Sequence, residues 1–262
     1  MNWDICKKTI LKTVGIAIFA VLFYTSCEDN SVNVVTPEVT TFVDARDGKT
    51  YKKVQIGEQI WMAENLRYEA DGSKCFGEGG DGTMVIDETY HDQGTNFHNV
   101  KTVTLSEHCD IYGRLYDWNT AMNGEHSSHA NPSGVEGVCP VGWHLPSDAE
   151  WQTLIDYVEP HAGTKLKARS WYDRRWIQSG HPPVPTGTDK YRFTALPSGY
   201  VRYGAANNGK SPNGYSGYWW SSTEMESHSD GAWIRDIQDD YTFVGKYHFE
   251  KHHFLSVRCV HD

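Results

Sequence analysis

Six cysteines and thirteen histidines are the side chains of this chain with the widest chemical repertoire, and their spacing restricts what they can do. Cys6 and Cys27 stand near the start, while Cys75, Cys109, Cys139 and Cys259 are spread over the remainder. No two form the C-x-x-C spacing of thiolate zinc sites and dithiol redox centres. Four separated cysteines in an oxidising compartment imply two disulfides, with three possible connectivities. The expected pairs are Cys75–Cys109, closing a local Gly-rich excursion, and Cys139–Cys259, tying the middle of the chain to its last strand. His126 and His129 lie in a Ser/Asn/Gly stretch without helical pattern. His248 and His252, with His253 beside them, share a strand face only if one strand runs unbroken through Glu250. These read as surface histidines without a metal. H-E-x-x-H, G-x-S-x-G and the Walker loop are all missing, so no catalytic residue, metal or cofactor is assigned.

The aromatic residues offer a different chemistry. Ser170-Trp-Tyr-Asp-Arg-Arg-Trp176 precedes the Pro-rich His181-Pro-Pro-Val-Pro185. Trp171, Tyr172, Arg174, Arg175 and Trp176 are the candidate ligand-binding residues, because flat rings beside charged donors suit a sugar ring or a peptide segment. The competing reading is a loop that covers the core with its own aromatics, and both stay open. Trp219 and Trp220 are adjacent on a strand and point to opposite faces, so at most one is expected fully within the main core.

The first residues determine where such chemistry would operate. Lys7, Lys8 and Lys12 precede Val14–Tyr24, an apolar run of eleven residues. That is too short to span a bilayer, which takes about 20 residues, and fits the apolar core of a secretory leader. Thr25-Ser26-Cys27 at its boundary resembles the lipobox of bacterial lipoproteins. The resemblance implies that residues 1–26 are removed, that Cys27 is acylated, and that residues 27–40 are a polar tether. Multiple acyl chains give stable anchoring where one is marginal. Glu28-Asp29-Asn30 either resembles the surface-export signal of some Gram-negative groups or is a solvated tether. An outer-membrane, lipid-anchored and cell-surface location is the expectation. The full chain carries 24 basic and 34 acidic residues, and removing 1–26 leaves 21 and 33. An acidic chain argues against nucleic acid as a partner, and a covalent anchor rather than a basic patch must hold it to anionic lipid.

The elements that must position these residues begin at 41. Thr41–Asp44 and Tyr51–Ile56 read as a hairpin around Asp47-Gly48, followed by a strand at Gln59–Ala63. Residues 70–108 read as a long loop, and Leu115, Trp118 and Met122 suggest a helix from Gly113 to Asn123. Ser147 and Glu150 form a capping box ahead of an apolar stripe at Trp151, Leu154, Ile155 and Val158. Thr164–Ala168 suggests one more helical turn. Tyr191–Leu196, Tyr218–Ser222, Ala232–Ile237, Tyr241–Tyr247 and Leu255–Val260 are strand candidates. Short central helices followed by a run of strands describe one compact α+β domain over 41–262, with two or three helices and a mostly antiparallel β-rich C-terminal half.

Eight motifs in order carry a family resemblance. They are Asp44-Ala-Arg-Asp-Gly-Lys-Thr-Tyr51, Ile60-Trp-Met-Ala-Glu-Asn-Leu66, Tyr112-Gly-Arg-Leu-Tyr-Asp-Trp118 and Cys139-Pro-Val-Gly-Trp-His-Leu-Pro-Ser147. Gly163-Thr-Lys-Leu-Lys-Ala168, Phe193-Thr-Ala-Leu-Pro-Ser-Gly-Tyr200, Tyr218-Trp-Trp-Ser-Ser-Thr-Glu224 and Ser256-Val-Arg-Cys-Val260 follow. Together they resemble the Fibrobacter succinogenes major paralogous domain, a family of secreted and lipid-anchored bacterial proteins. The family is similar in layout to the C-type-lectin-like fold, which also contains the formylglycine-generating enzymes. The resemblance implies that the N- and C-terminal strands meet. The leading functional expectation is a non-enzymatic surface binding or adhesion module whose ligand is a polysaccharide or an envelope protein. The alternative is an envelope enzyme of the formylglycine-generating type, which needs a reactive cysteine pair, or a glycan-active hydrolase.

Overall fold

The computed structural model describes residues 36–76, 83–92, 95–171, 186–202 and 215–262. Strand β1 (Val39–Val43) turns through Gly48, at φ 73°, into β2 (Thr50–Ile56), and Gly57, at φ 63°, turns β2 into β3 (Gln59–Met62). The first turn is locked by its own sequence. Buried Asp44 accepts from the Arg46 backbone N–H and guanidinium at 2.7–3.2 Å, and Arg46 Nη1 reaches the Val138 carbonyl at 3.0 Å. Burial alone would raise the Asp44 carboxyl, but the Arg46 hydrogen bonds and charge outweigh it and hold it below its ordinary value.

The stretch expected as a loop over 70–108 contains instead a hairpin, β4 (Thr83–Asp92) with β5 (Thr95–Thr104), and helix α1 (Leu105–Tyr112). Thr104 and Glu107 form a capping box at the start of α1. The expected Gly113–Asn123 helix is shorter: Leu115–Tyr116 is strand β6, and α2 covers only Trp118–Met122 behind an Asp117 cap. After β7 (Trp143–His144), α3 (Asp148–Val158) carries the predicted Ser147/Glu150 capping box. Its stripe Trp151, Leu154, Ile155, Val158 is buried, each fully buried aliphatic contributing roughly 1.5–3 kcal/mol. Helix α4 (Ala162–Leu166) follows, so the described residues hold four helices rather than two or three.

Five strands complete the fold: β8 (Ser216–Glu224), β9 (Gly231–Gln238), β10 (Gly245–Glu250), β11 (Leu255–Ser256) and β12 (Val260–His261). Tyr191–Leu196 makes only an isolated bridge, Ala195 with Lys167. The strand expected at 241–247 starts at Gly245. Leu255–Val260 is two strands, not one, because the chain leaves one sheet and enters the other. The sheets run β1-β2-β3-β12-β7 and β10-β9-β8-β11-β6, all antiparallel except β11 with β8. β12 sits between β3 and β7, with Val260 opposite both Trp61 and His144, so the terminal strands do meet.

Two apolar cores flank this frame. Tyr51, Met62, Tyr116, Trp143, Trp220, Leu255 and Val257 belong to one; Trp61, Trp151, Leu166, Trp171, Trp219 and Ile237 belong to the other. Adjacent Trp219 and Trp220 are therefore both fully buried, because β8 is covered on both faces. Lys167, also buried, gives its ammonium to the carbonyls of Gln238, Asp239 and Tyr241 at 2.8–2.9 Å and closes the β9–β10 turn.

Candidate functional site

Both expected disulfides are present, Cys75–Cys109 and Cys139–Cys259. Every cysteine among the described residues is thus oxidised, and none supplies the thiol that formylglycine-generating chemistry needs. Of the candidate ligand residues, Trp171 is corrected by the structure. It is 1% exposed and packs in the second core, with the Lys167 ammonium 5.8 Å from its ring, so its indole is a core group and not a ligand platform. Its charged neighbours in sequence concealed this. Tyr172, Arg174, Arg175, Trp176 and the lipidation candidate Cys27 lie outside the described residues.

The structure offers another aromatic. Strand β9 points Ala232 and Ile234 into the first core, which turns Trp233 outward, and it is half-buried. Its partner strand β10 aligns His248 opposite it, edge-on at 6.3 Å, and Lys246 lays its ammonium 4.2 Å from the indole centroid. The start of α3 forms the facing wall. Asp148, the first residue of the helix and inside the capping box, takes Arg235 at 2.7 Å through one oxygen and Lys246 at 2.7 Å through the other. Arg235 is buried and also donates to Gln152 Oε1 at 3.2 Å.

A third wall comes from the 124–142 segment, which has no regular structure yet is pinned at many points. Ser128 N–H donates to the Ser222 carbonyl at 3.0 Å, Thr223 Oγ1 to the Ser128 carbonyl at 2.6 Å, and Ser147 Oγ to the Ala130 carbonyl at 2.6 Å. Asn131 Nδ2 reaches Thr153 Oγ1 at 2.9 Å. The result is a cleft of about 480 Å³ bounded by His129, Asn131, Asp148, Gln152, Trp233 and Lys246, with Thr153, Asp156 and Thr223 at its edges. That volume falls within the roughly 300–1,000 Å³ of small-ligand sites.

The electrostatics favour holding a ligand over cleaving one. Asp148 is neutralised by two cations. Its fellow carboxylate Asp156 lies eight residues along the same helix, about 12 Å at 1.5 Å per residue. Glycosidase pairs stand about 5–9.5 Å apart. The cleft therefore offers an indole face, amides and hydroxyls, with its charges satisfied internally.

A second polar group near α3 resembles a catalytic relay and is not one. His144 is buried between two carboxylates, Nε2 2.6 Å from Glu150 and Nδ1 2.6 Å from Asp262. Both ring nitrogens are occupied, so no nucleophile can be activated; the ring clasps the last residue to the head of α3. Burial pushes the imidazole down, but the Glu150 and Asp262 hydrogen bonds and charges prevail and leave its pKa raised. A raised histidine stabilises fully below the unfolded value of about 6.5 and loses that contribution as pH climbs through the folded value. Urea midpoints are thus expected to decline from pH 6 upward through this range, and Asp262→Asn to flatten the decline. Equal slopes for the two proteins would contradict the clasp.

A family-level comparison matches residues 54–261 to the Fibrobacter succinogenes major domain. The chain belongs to that family. No curated protein and no solved structure matches it. Within this Fibrobacter succinogenes major domain, the ordered motifs that carried the resemblance are mostly framework. Asp44 and Arg46 lock the first hairpin, Ser147 caps α3, and Arg258 is buried beside Asn65. The cleft residues Asn131, Gln152, Trp233 and Lys246 fall outside those motifs, which is why sequence reading passed over them. One signal was legible: Trp233 shares its parity on β9 with Arg235, an aromatic on the charged face of a strand.

Proposed function

We propose that the chain is a non-enzymatic binding module of the bacterial envelope, tethered through acylated Cys27 at the outer membrane, whose cleft beside Trp233 takes a neutral polysaccharide segment. The observation that supports this most directly is the half-buried indole among the amides and hydroxyls of Asn131, Gln152 and Thr153, where Asp148 pairs with Lys246 and Arg235 and Asp156 brings the charge balance to two against two. A pyranose has a C–H face for the indole and equatorial hydroxyls for the rim. An anionic ligand would have to compete with Asp148 for both cations. Among the described residues no helix is long and apolar enough to cross a membrane.

The test is a panel of plant and bacterial polysaccharides, run with and without chelator on the full protein and on Trp233→Ala. A chelator-insensitive hit that weakens about tenfold or more in the variant, with thermal unfolding nearly unchanged, is expected. Equal affinities, or silence across the panel, refute the cleft assignment. Cys27→Ala is expected to release the protein from membranes, and unchanged partitioning refutes the anchor.

A further inference from the structure

The end of β10 brings together three donors that an unbroken strand would spread over two faces. β10 stops at Glu250, and the Glu250 carbonyl accepts from the His253 N–H at 3.0 Å, closing a tight turn. That turn sets His252 Nε2 3.1 Å from Glu250 Oε2, and one donor atom from each of Glu250, His252 and His253 lies within 4.8 Å of the others. We propose that this turn binds a divalent transition-metal ion, Zn²⁺ or Cu²⁺, through Glu250, His252 and His253.

The two histidines play different parts. His253 is 8% exposed and its Nδ1 is buried without a hydrogen-bond partner among the described residues. An unsatisfied buried polar nitrogen costs about 1–3 kcal/mol, a cost that a donor bond to a metal offsets. Its ring is already oriented, parallel to Tyr200 at 6.2 Å and edge-on to Phe249 at 5.7 Å. His252 and Glu250 have half-exposed side chains and can adjust around it. Tetrahedral bonds of about 2.0–2.1 Å put donors about 3.3 Å apart, so closing the set needs movement only of the two exposed side chains.

Donor chemistry selects the ion. Two imidazoles and one carboxylate suit zinc or copper, whereas calcium takes six to eight oxygens. Three protein ligands leave a position open to water or to a group from outside. Arg202 is close enough to act electrostatically on the His253 ring, and a ring nitrogen ligates only when unprotonated, a condition that a test above the ordinary imidazole pKa of about 6.5 meets. Arg202 also opposes a cation, and the Glu250 carboxylate offsets it. Lys251, between the ligands in sequence, is turned away onto Glu224 at 2.6 Å.

The full chain titrated with Zn²⁺ in equilibrium dialysis at pH 7.5 is expected to bind through this turn, and His252→Ala to weaken that binding about tenfold or more. Glu250→Gln is expected to weaken it by a smaller factor. Both residues are exposed, so neither variant tests folding. Cu²⁺ loaded at one equivalent is expected to report nitrogen coordination by electron paramagnetic resonance, lost in His252→Ala. Zinc affinity equal in parent and both variants, a copper spectrum unchanged by His252→Ala, or no binding below about 100 µM would overturn the assignment.

Discussion

Arg258→Ala is expected to lower stability by about 3–5 kcal/mol, from the buried acceptors left without a donor and the cavity left behind. The guanidinium is wholly buried. Its Nε and Nη2 donate to Asn65 Oδ1 at 3.0 and 2.7 Å, Nη1 donates to the Phe193 carbonyl, and the group stacks 4.2 Å over the Phe193 ring. Asn65 in turn accepts from Trp219 Nε1 and donates to the Tyr112 carbonyl, each at 2.8 Å. Alanine would strip acceptors of their donor deep in the interior and open a cavity between the two sheets. At roughly 2–4 °C per kcal/mol for a domain of this size, the melting temperature should fall by roughly 6–20 °C. Arg258→Lys keeps the charge but not the planar fork, so it should recover only part of the loss. A melting temperature unchanged in Arg258→Ala would mean that the network does not tie the sheets together.

Replacing Cys139 and Cys259 together with alanine is expected to cost about 5 kcal/mol, from the chain entropy that the bond removes from the unfolded state. The bridge spans 120 residues and both sulfurs are fully buried in the first core. Cys75–Cys109 spans only 34 residues at the edge of the fold, so its removal is expected to cost about 4 kcal/mol. Against a typical total of about 5–15 kcal/mol, either loss is large. Denaturant midpoints under non-reducing conditions would rank the two. A smaller loss for the long bridge would rule out loop closure as its main contribution.

Much of the framework was legible before the structure because its signals are local. The Ser147/Glu150 box, the Asp47-Gly48 turn and the period of Trp151, Leu154, Ile155 and Val158 depend only on near neighbours, and all three hold. The errors arose where long-range pairing decides. Leu115 and Tyr116 look helical with Trp118 and Met122, but pairing with β11 draws them into a strand. Leu255–Val260 looks continuous, but its polar Arg258 marks the crossing between sheets. Trp171, open between ligand platform and core cover in the sequence, takes the second role, because it enters the core beside Phe193 with the Lys167 ammonium near its ring. The Trp233 cleft needs the β9–β10 register and the pinned 124–142 segment, and neither is written in any short window. The His252–Glu250 contact likewise depends on where β10 stops.

The placement of β12 has a consequence for the order of events during synthesis. The strand that completes the first sheet, between β3 and β7, comes from Val260–His261, and the long disulfide waits for Cys259. A chain delivered N-terminus first cannot close that sheet until these residues arrive, however long its earlier segments have been waiting. Until then β3 and β7 have no strand between them, and the first sheet stays open at its centre. The same geometry makes the protein its own proofreader: a chain cut short before residue 259 has neither the inserted strand nor the covalent tie, and is left open to proteolysis.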